Sequence, residues 1–368
     1  MTKVGTIASV DAIPLRIPFT YTGDRGSSFP GLAWNTLDIC LVKVTTDTGL
    51  VGWGDAFAYH CLEPITAVVE HMIRPNVIGQ DAADITGLSH RLQQKFHLFG
   101  RHGHTTFALS GLDIALWDIA GKAAGLSLST LLGGVRKTLP AYASLFILRN
   151  VDAVVEDVTQ AKAQGYEYIK LHEIGAAEVG AARLTAGDDL PIMVDVNCPW
   201  TPEEARRNAL ILDEFDLYWL EEPIFPPEDY HALARLRRKT GVPLAAGENW
   251  CTSWAFAHAC QAGAIDFAQP SVTKVGGVTE FRKAAAICES HGVQVMAHSP
   301  YFGPGFLATL HLAASLPNPG LIERFFIKME AELYPGWFDP IDGAFRVPDG
   351  PGLGVEPDAA VIKEFAVK

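Results

Sequence analysis

YEYIKLHE (166–173) opens a series of short apolar runs that each end in polar residues. The series continues with IMVDVN (192–197), YWLEEP (218–223), LAAGEN (244–249), FAQPS (267–271), VMAHS (295–299) and LIER (321–324). One polar residue can be taken from each run, at positions 170, 195, 221, 248, 271, 298 and 323. Each lies 23 to 27 residues after the previous one. This interval accommodates one strand, one helix and two loops, the repeating unit of a (β/α) barrel. Because the carboxyl ends of barrel strands meet at one mouth, we expect these polar side chains to share a pocket.

The composition limits the class of protein. The 368 residues are 48% hydrophobic and 19% charged, which suits a globular protein with a large core, such as a barrel with one smaller domain. The net charge is −13 and lysine and arginine gather only at residues 235–239, so neither nucleic acid nor an anionic membrane is expected as a partner. No leader, no run of about 18 apolar residues and no CxxC spacing among the six cysteines is found. We therefore expect a reduced, cytoplasmic enzyme.

The N-terminal third has a different pattern. Residues 4–17, 36–46 and 50–56 are rich in β-branched and apolar residues and predict a three-stranded antiparallel meander. Between the first two strands, residues 18–33 combine glycines, serines and aromatics, and we interpret them as a lid loop. Apolar residues spaced by three and four predict helices over 62–73, 85–96 and 105–124. We predict a domain boundary near residue 135.

Strands and helices alternate after that boundary. Residues 141–146 and 166–172 read as strands around a helix at 151–164, and Thr201-Pro202-Glu203-Glu204 is a helix start with a capping box. Such alternation implies parallel strands with right-handed crossovers. The turn-rich end of the chain cannot form another unit. The predicted domains are therefore 1–134, a barrel over 135–335, and a segment 336–368 that returns to the N-terminal domain.

Three carboxylates carry the first chemical signal. Asp195, Glu221 and Glu248 end three consecutive predicted strands. Carboxylates that share a pocket repel one another unless protons or a cation intervene, and an all-oxygen set suits Mg²⁺ before Mn²⁺. The alternative is that each carboxylate caps a helix or pairs with an arginine. Their occurrence at three barrel strand ends favours the metal site.

Basic residues flank the three carboxylates. Lys170 and His172 are two residues apart on one predicted strand, so their side chains share a face, and His298 ends a strand across the barrel. Bases beside a metal suit a reaction that removes a proton next to a carboxylate, since the metal and a lysine can hold the enediolate while a base takes the proton. A structural histidine bonded to backbone remains the alternative for each histidine alone.

These motifs together resemble the mandelate racemase branch of the enolase superfamily. The shared order is KxH, DxN, EEP, GEN, Lys274-Val275-Gly276-Gly277, His and Glu, between ALWDIAGK (115–122) with LLGG (131–134) and PDGPGLG (348–354). The resemblance covers nearly the whole chain. It implies an α/β fold, a modified (β/α)₇β TIM barrel with an N-terminal α+β capping domain. It also implies one Mg²⁺ per subunit, held by Asp195, Glu221 and Glu248. In such sites a lysine or a histidine acts as the base.

The resemblance also suggests the substrate contacts and the quaternary structure. The lid and residues 53–59 are expected to close over the substrate, which places Phe19, Tyr21 and Tyr59 near it. Asn197, Asn249, Ser271 and Lys274 are expected to contact the substrate or support the site. Specificity is assigned to the lid and to His60, Arg101, His102 and His104. A small-molecule carboxylate is the expected partner, and a homo-oligomer is expected.

Two departures from the family pattern shape the functional hypothesis. His172 stands where relatives usually carry the second lysine of KxK, and Ser271 stands where racemases carry the aspartate that pairs with the histidine corresponding to His298. A histidine without that carboxylate is a poorer base and a serviceable acid. Lys274 belongs to a common strand-end pattern and need not be catalytic.

The sequence therefore predicts a Mg²⁺-dependent dehydratase of a hydroxy acid, most simply a sugar acid. His172, or else Lys170, abstracts the proton next to the carboxylate, Lys170 and the metal stabilise the enediolate, His298 assists loss of the β-hydroxyl, and Glu323 hydrogen-bonds the substrate carboxylate. A racemase or epimerase is the runner-up. A non-catalytic ligand-binding protein and a glycoside hydrolase using Glu221 and Glu248 are the alternatives from other classes.

Overall fold

The computed structural model describes residues 3–22 and 34–367. An antiparallel sheet of order β12-β1-β2-β3 forms the N-terminal part. Its strands are β1 (Ile7–Thr20), β2 (Thr36–Thr46), β3 (Val51–Phe57) and β12 (Lys328–Met329). The predicted meander is confirmed, and β12 is a fourth strand that the sequence did not reveal. Because β1 continues to Thr20, residues 18–20 of the predicted lid are strand instead of loop, and residues 23–33 lie outside the described residues.

Helices cover one face of this sheet. They are α1 (Leu62–Val68), a π-helical turn (Val69–Ile73), α2 (Arg74–Val77), α3 (Ile85–Lys95), α4 (His104–Ala124) and α5 (Leu128–Leu131). The face of α4 formed by Leu112, Ala115, Leu116 and Ile119 is buried. The helix lies so close to the sheet that a Cβ placed on Gly54 would be 2.0 Å from the Gly111 carbonyl oxygen. Glycine at position 54 is therefore required by packing.

Eight parallel strands form the second sheet, in the order β10-β9-β8-β7-β6-β5-β4-β11. They are β4 (Thr138–Ser144), β5 (Ile169–Leu171), β6 (Ile192–Asp195), β7 (Leu217–Glu221), β8 (Leu244–Ala246), β9 (Phe267–Ala268), β10 (Gln294–Val295) and β11 (Ile322–Phe325). The helices that follow the first seven strands are α6 (Val151–Ala163), α7 (Ala176–Ala186), α8 (Pro202–Leu212), α9 (Tyr230–Thr240), α10 (Thr252–Ala262), α11 (Gly277–Ser290) and α12 (Pro304–Ser315).

The eighth strand, β11, leads into β12 instead of a helix, so the predicted (β/α)₇β barrel is confirmed. The capping box that begins α8 is present, with Thr201 and Glu204 bonded reciprocally. At the seam between β10 and β11, side chains connect the strands: Ser299 N–H donates to Glu323 Oε2 at 2.9 Å, and Leu321 N–H contacts Met296 Sδ at 3.3 Å.

The chain after β12 contacts both sheets. β13 (Ala344–Arg346) pairs with β4, and α13 (Ala359–Phe365) precedes a bridge between Ala366 and Leu15 of β1. Leu353 N–H donates to Asp118 Oδ1 of α4 at 2.8 Å. The domain boundaries themselves remain predictions. Within the described ranges, no helix is both long enough and apolar enough to cross a bilayer.

His311 joins three parts of the molecule and makes stability depend on pH. Its Nδ1 accepts from Ser129 N–H of α5, and its Nε2 donates to the Leu353 carbonyl, both at 3.2 Å. This arrangement requires a neutral ring, and burial lowers the pKa of His311 to about 4 from 6.5. The unfolded chain therefore takes up a proton first, so stability falls as pH drops from 6.5 to 4. The expected loss in the free energy of unfolding is about 3 kcal/mol.

Urea unfolding of the wild type and of His311→Gln at pH 7 and pH 4 tests this. Glutamine can keep one donor and one acceptor but does not titrate, so its pH dependence should lack this loss. Asp55 and Asp113, whose pKa values burial raises to about 7, stabilise the fold as pH falls through 7, but they do so in both proteins. Equal pH dependence in the two proteins would contradict the assignment.

Candidate active site

The three carboxylates meet at the mouth of the barrel. Asp195 and Glu221 are the last residues of β6 and β7, and Glu248 lies two residues beyond β8. One oxygen from each of the three lies within 4.8 Å of the others. The side chains of Asp195 and Glu221 are fully buried, and that of Glu248 is 14% exposed. The arrangement brings three ionisable oxygens to one point with an opening at Glu248.

The remaining hydrogen bonds of these carboxylates orient them. Asn197 N–H donates to Asp195 Oδ1 at 2.9 Å, and Trp219 Nε1–H donates to Glu221 Oε2 at 2.9 Å. Asp195 Oδ2 is buried, and its polar contacts within the described part of the chain are long, 3.4 Å to His172 Nε2 and 3.7 Å to Lys170 Nζ. A buried anionic oxygen without a close donor fits a metal ligand, so the residues present suit a hard divalent cation.

The pKa values of the clustered carboxylates reflect their burial and their mutual repulsion. Burial and the charge of Asp195 raise the pKa of Glu221 well above its usual value. For Glu248 burial acts in the same direction, but His298 and Lys274 outweigh it and hold the pKa of Glu248 well below the ordinary value. Three carboxylates in a buried space cannot all ionise without compensation. A divalent cation supplies that compensation.

Lys170 lies beneath the carboxylates and is completely buried. Its Nζ is 3.1 Å from Glu221 Oε1 and 2.9 Å from Glu323 Oε1. Burial alone would lower the pKa of Lys170, but Glu221 and Glu323 raise it well above its usual value. The ammonium group therefore stays charged, and Lys170 is not among the residues that line the cavity described below.

His172 is held in one orientation by the neighbouring strand segment. Its Nδ1 lies 2.5 Å from the carbonyl oxygen of Leu145, which can only accept, so we assign the proton to Nδ1. The lone pair of Nε2 then faces the mouth, 3.4 Å from Asp195 Oδ2. This arrangement lets Nε2 accept a proton while Asp195 compensates the charge that forms.

His298 faces the same space from β10. Its Nε2 is 3.0 Å from Glu248 Oε2, while its Nδ1 lies 3.3 Å from Ser271 Oγ and 3.2 Å from the Tyr301 hydroxyl. Because a carboxylate can only accept, we assign the ring proton to Nε2. The two histidines therefore present opposite functions to the mouth, a lone pair on His172 and an N–H on His298.

Glu323 is buried between these groups. Its Oε1 accepts from Ser144 Oγ at 2.7 Å and from Lys170 Nζ, and its Oε2 accepts from Ser299 N–H. Burial opposes ionisation, but Lys170, His298 and the Ser299 N–H outweigh it and lower the pKa of Glu323 to about 2. An ionised carboxylate cannot donate a hydrogen bond. In this environment Glu323 can hydrogen-bond a substrate only as an acceptor.

The predicted supporting residues form a second network behind Glu248. Lys274 Nζ lies 3.5 Å from Glu248 Oε1 and donates to Asn249 Oδ1 at 2.9 Å. Asn249 Nδ2 in turn donates to both oxygens of Glu222, at 3.0 and 2.8 Å. Glu222 follows Glu221 directly and adopts a left-handed backbone with φ of 45°. Asn249 and Lys274 thus hold Glu248 in place and do not line the cavity.

A cavity of about 220 Å³ opens above the carboxylates. Its described lining consists of Trp34, Phe57, Tyr59, His60, Phe146, Ile147, His172, Asn197, Glu248, His298, Pro300, Glu323 and Phe325. The volume lies below the roughly 300 to 1,000 Å³ of pockets for drug-sized ligands, which favours a small substrate. The lining combines ionisable side chains with an aromatic wall, by which we mean Trp34, Phe57, Phe146 and Phe325.

Several predicted contacts lie elsewhere. Phe19 is buried against Trp34 and Phe146, and Tyr21 stacks on Phe146 with ring centroids 4.0 Å apart, so both stand behind the aromatic wall. Arg101 lines a separate small cavity beside α3. Within the described residues, His102 and His104 do not line the cavity either, and only His60 of that predicted specificity set does.

Sequence reasoning missed the aromatic wall and Tyr301. Trp34, Phe57, Phe146 and Phe325 come from four separate segments, and no interval in the sequence connects them. Tyr301 is three residues beyond His298 and could have been noticed from that short spacing alone. Ser144 and the Leu145 carbonyl could not be predicted because β4 carries no charged residue that would mark its end as part of the site.

A (β/α)₇β barrel beneath a capping domain, with a carboxylate triad at three consecutive strand ends and basic groups around it, defines an enzyme of the enolase type. Family comparison agrees. The family described as "Mandelate racemase / muconate lactonizing enzyme, N-terminal domain" matches residues 32–133, and "Enolase C-terminal domain-like" matches residues 153–361. The chain belongs to the enolase superfamily, of the mandelate racemase and muconate lactonizing enzyme type.

Two curated relatives illustrate the activities found among similar proteins. D-galactarolactone cycloisomerase from Agrobacterium fabrum is 34% identical over 347 residues, which cover 88% of this chain and 90% of the relative. Arabinonate dehydratase from Saccharolobus solfataricus is 30% identical over 351 residues, which cover 92% of this chain and 93% of the relative. Both names refer to small acid sugars.

Solved structures give the same result. One described as a racemase from Streptomyces coelicolor with bound magnesium superposes with a TM-score of 0.86 at 32% identity, covering 98% of this chain and 100% of the other. The relatives support an enzyme that is an acid-sugar dehydratase or isomerase.

Proposed function

We propose that the protein eliminates a β-oxygen substituent from a sugar acid in a Mg²⁺-dependent reaction, with loss of water as the principal case. The observation that carries this proposal is the pair of histidines with opposite proton positions at one cavity, His172 with a lone pair and His298 with an N–H. Their strands, β5 and β10, lie three positions apart around one side of the eight-stranded barrel and five around the other. A base and an acid therefore reach the substrate from different sides.

Asp195, Glu221 and Glu248 would hold the metal, with room at the Glu248 side for substrate oxygens. Bound there, Mg²⁺ supplies Lewis-acid stabilisation of the negative charge that develops on the substrate carboxylate. The triad, Asn197 and Trp219 keep the oxygens aligned before the substrate arrives, which is the preorganisation that such stabilisation requires.

His172 takes the proton from the carbon next to the carboxylate. Its Nδ1 contact with Leu145 fixes the ring, and Asp195 compensates the charge on Nε2 once the proton has moved. Lys170 is unsuited to be the base because Glu221 and Glu323 keep it protonated. We assign to Lys170 the fixed positive charge beneath the developing enediolate.

His298, once it carries a proton on both ring nitrogens, donates its Nε2 proton to the departing β-oxygen and becomes neutral; the oxygen leaves as water when the substituent is a hydroxyl. The enol that remains tautomerises to a 2-keto acid, so atoms balance without a further reactant. Glu323, held ionised, is reassigned as an acceptor for a substrate hydroxyl in place of the contact with the carboxylate. The aromatic wall then packs against the carbon-bound hydrogens of the substrate.

A second candidate is cycloisomerisation, in which the leaving oxygen belongs to a ring of the substrate. The name of the relative from Agrobacterium fabrum and the aromatic wall, which suits the face of a small ring, favour it. The proton transfers are the same, but the oxygen stays in the product. The two candidates therefore differ in the mass of the product and not in the roles of the residues.

A library of sugar acids, their lactones and their anhydro forms, incubated with the protein and Mg²⁺ in deuterated water, tests the proposal. We expect a semicarbazide-reactive keto acid for a few members, with EDTA abolishing its formation. A product lighter by one water identifies dehydration, and an isomeric keto product identifies cycloisomerisation. Deuterium incorporation with inverted configuration and no keto product identifies racemisation and contradicts the proposal, as does turnover that EDTA leaves unchanged.

A further inference from the structure

Tyr301 contacts the nitrogen of His298 that faces away from the cavity. Its hydroxyl is 3.2 Å from His298 Nδ1 and also contacts Ser271 Oγ, which itself lies 3.3 Å from the same nitrogen. All three side chains belong to buried residues, between 0% and 6% exposed. Two hydroxyl groups from different segments therefore converge on one imidazole nitrogen.

The Tyr301 hydroxyl can hydrogen-bond that nitrogen whether His298 is neutral or protonated. Burial raises the pKa of Tyr301 far above its usual value, so the group is protonated. A hydroxyl group can donate to the lone pair of Nδ1 in the neutral ring and can accept from Nδ1–H when the ring carries both protons. Ser271 Oγ lies 3.3 Å from the same nitrogen and contacts the Tyr301 hydroxyl, so the two hydroxyl groups hold the ring together.

The capping domain fixes Tyr301. Its ring lies 6.4 Å from that of Tyr59 and 6.5 Å from that of Phe57, both edge to face. The Tyr59 hydroxyl donates to the carbonyl oxygen of Pro300, the residue before Tyr301. Phe57 N–H donates to the Thr273 carbonyl at 3.4 Å, which ties β3 to the segment after β9. The position of the Tyr301 hydroxyl is thus set by the junction of the two sheets.

We propose that Tyr301 is the positioning residue of His298: its hydroxyl, braced by Ser271, fixes the ring and directs the Nε2 proton into the cavity. The effect of Tyr301 on turnover rests on the proposed function, in which His298 is the acid. The proposal also gives the capping domain a role besides covering the substrate, because the domain holds the residue that orients the acid. A ring fixed by hydroxyls instead of a carboxylate remains a hydrogen-bond donor toward the cavity, as elimination requires.

Tyr301→Phe removes the hydroxyl and keeps the ring against Phe57 and Tyr59. We expect kcat to fall by about 10- to 100-fold, the range for losing an outer partner of a site residue, with KM within twofold. Tyr334→Phe is the matched control, since Tyr334 is 1% exposed and its hydroxyl has no hydrogen-bond partner among the described residues. Tyr334→Phe should retain wild-type kcat. A Tyr301→Phe variant with unchanged kcat, or with a raised KM alone, overturns the proposal.

A readout independent of the substrate separates this proposal from the proposed function. The ¹⁵N chemical shifts of the His298 ring, assigned by comparison with His298→Gln, report which nitrogen carries the proton. We expect the Nδ1 shift to be the same in the wild type and in Tyr334→Phe, and to change in Tyr301→Phe because that nitrogen loses one hydrogen-bond partner. Shifts unchanged by Tyr301→Phe contradict the positioning role, whether or not any sugar acid is turned over. A Nδ1 shift that Tyr301→Phe changes, in a protein without eliminating activity, supports the positioning role and rejects only the proposed function.

Discussion

Replacing Asp195 by asparagine is expected to lower kcat/KM by about 10³-fold and to weaken Mg²⁺ binding in parallel. Asparagine keeps the side-chain shape but removes the charge, and a neutral amide in the triad binds a hard cation poorly. A metal ion stabilises the transition state of such a reaction by several kcal/mol. Each loss of about 1.4 kcal/mol lowers the rate tenfold. Calorimetric titration with Mg²⁺ measures the binding directly, so the result does not depend on knowing the substrate.

Asp113→Asn is the matched control for that substitution. Asp113 is also a buried carboxylate, but it lies on α4, where its Oδ1 accepts from Thr279 N–H at 2.9 Å. Burial raises its pKa to about 7, so asparagine replaces a group that is about half protonated at neutral pH. Metal affinity and turnover should be unchanged in this variant. If Asp195→Asn also leaves both unchanged, the proposed metal site is wrong.

Replacing His172 by asparagine is expected to reduce turnover by about 10²- to 10⁴-fold, the contribution of a general base. The asparagine amide can still donate to the Leu145 carbonyl, so the local structure is retained while the lone pair at the Nε2 position is lost. Exchange of the α-hydrogen with deuterated water, followed by NMR, should disappear together with keto acid formation. Mg²⁺ affinity should stay within a few fold of the wild type, which shows that the site is intact.

His298→Asn gives the contrasting result that separates the two histidines. With the base present and the acid removed, α-hydrogen exchange should continue while formation of the keto acid falls by about 10²-fold or more. If α-hydrogen exchange is lost in His298→Asn and retained in His172→Asn, His298 is the base and His172 is the acid. Loss of exchange in both variants would point to a racemase-like use of two bases.

The fold and the carboxylate triad could be predicted from the sequence because both follow from local periodicity. In a barrel, each strand, helix and loop unit has a similar length, so residues about 25 positions apart return to the same mouth. That rule alone brings Asp195, Glu221 and Glu248 together, and the structure has their oxygens within 4.8 Å. The capping sheet was predicted from its alternation and turns, but its fourth strand was missed because Lys328–Met329 is only two residues long.

Residue roles were less accessible because each depends on contacts that are distant in the chain. Spacing placed Lys170 and His172 on one face of one strand, but Glu221 and Glu323 enclose the lysine while the histidine is turned toward the cavity by Leu145. Phe19 and Tyr21, which were predicted to contact the substrate, pack against Phe146, and their contact with the substrate stays a prediction. Aromatic residues are buried for many reasons, so their type alone does not show which one faces a cavity.

The sequence by itself determined the eight-stranded barrel, the family and the three carboxylates, since a repeat of constant length carries its own geometry. Only the tertiary structure decided which nitrogen of each histidine faces the cavity, what compensates Lys170, and that Tyr301 stands behind His298. A side chain takes its proton position and its orientation from the neighbours that packing brings to it. Those neighbours come from other strands and from the capping domain, where no spacing in the chain identifies them in advance.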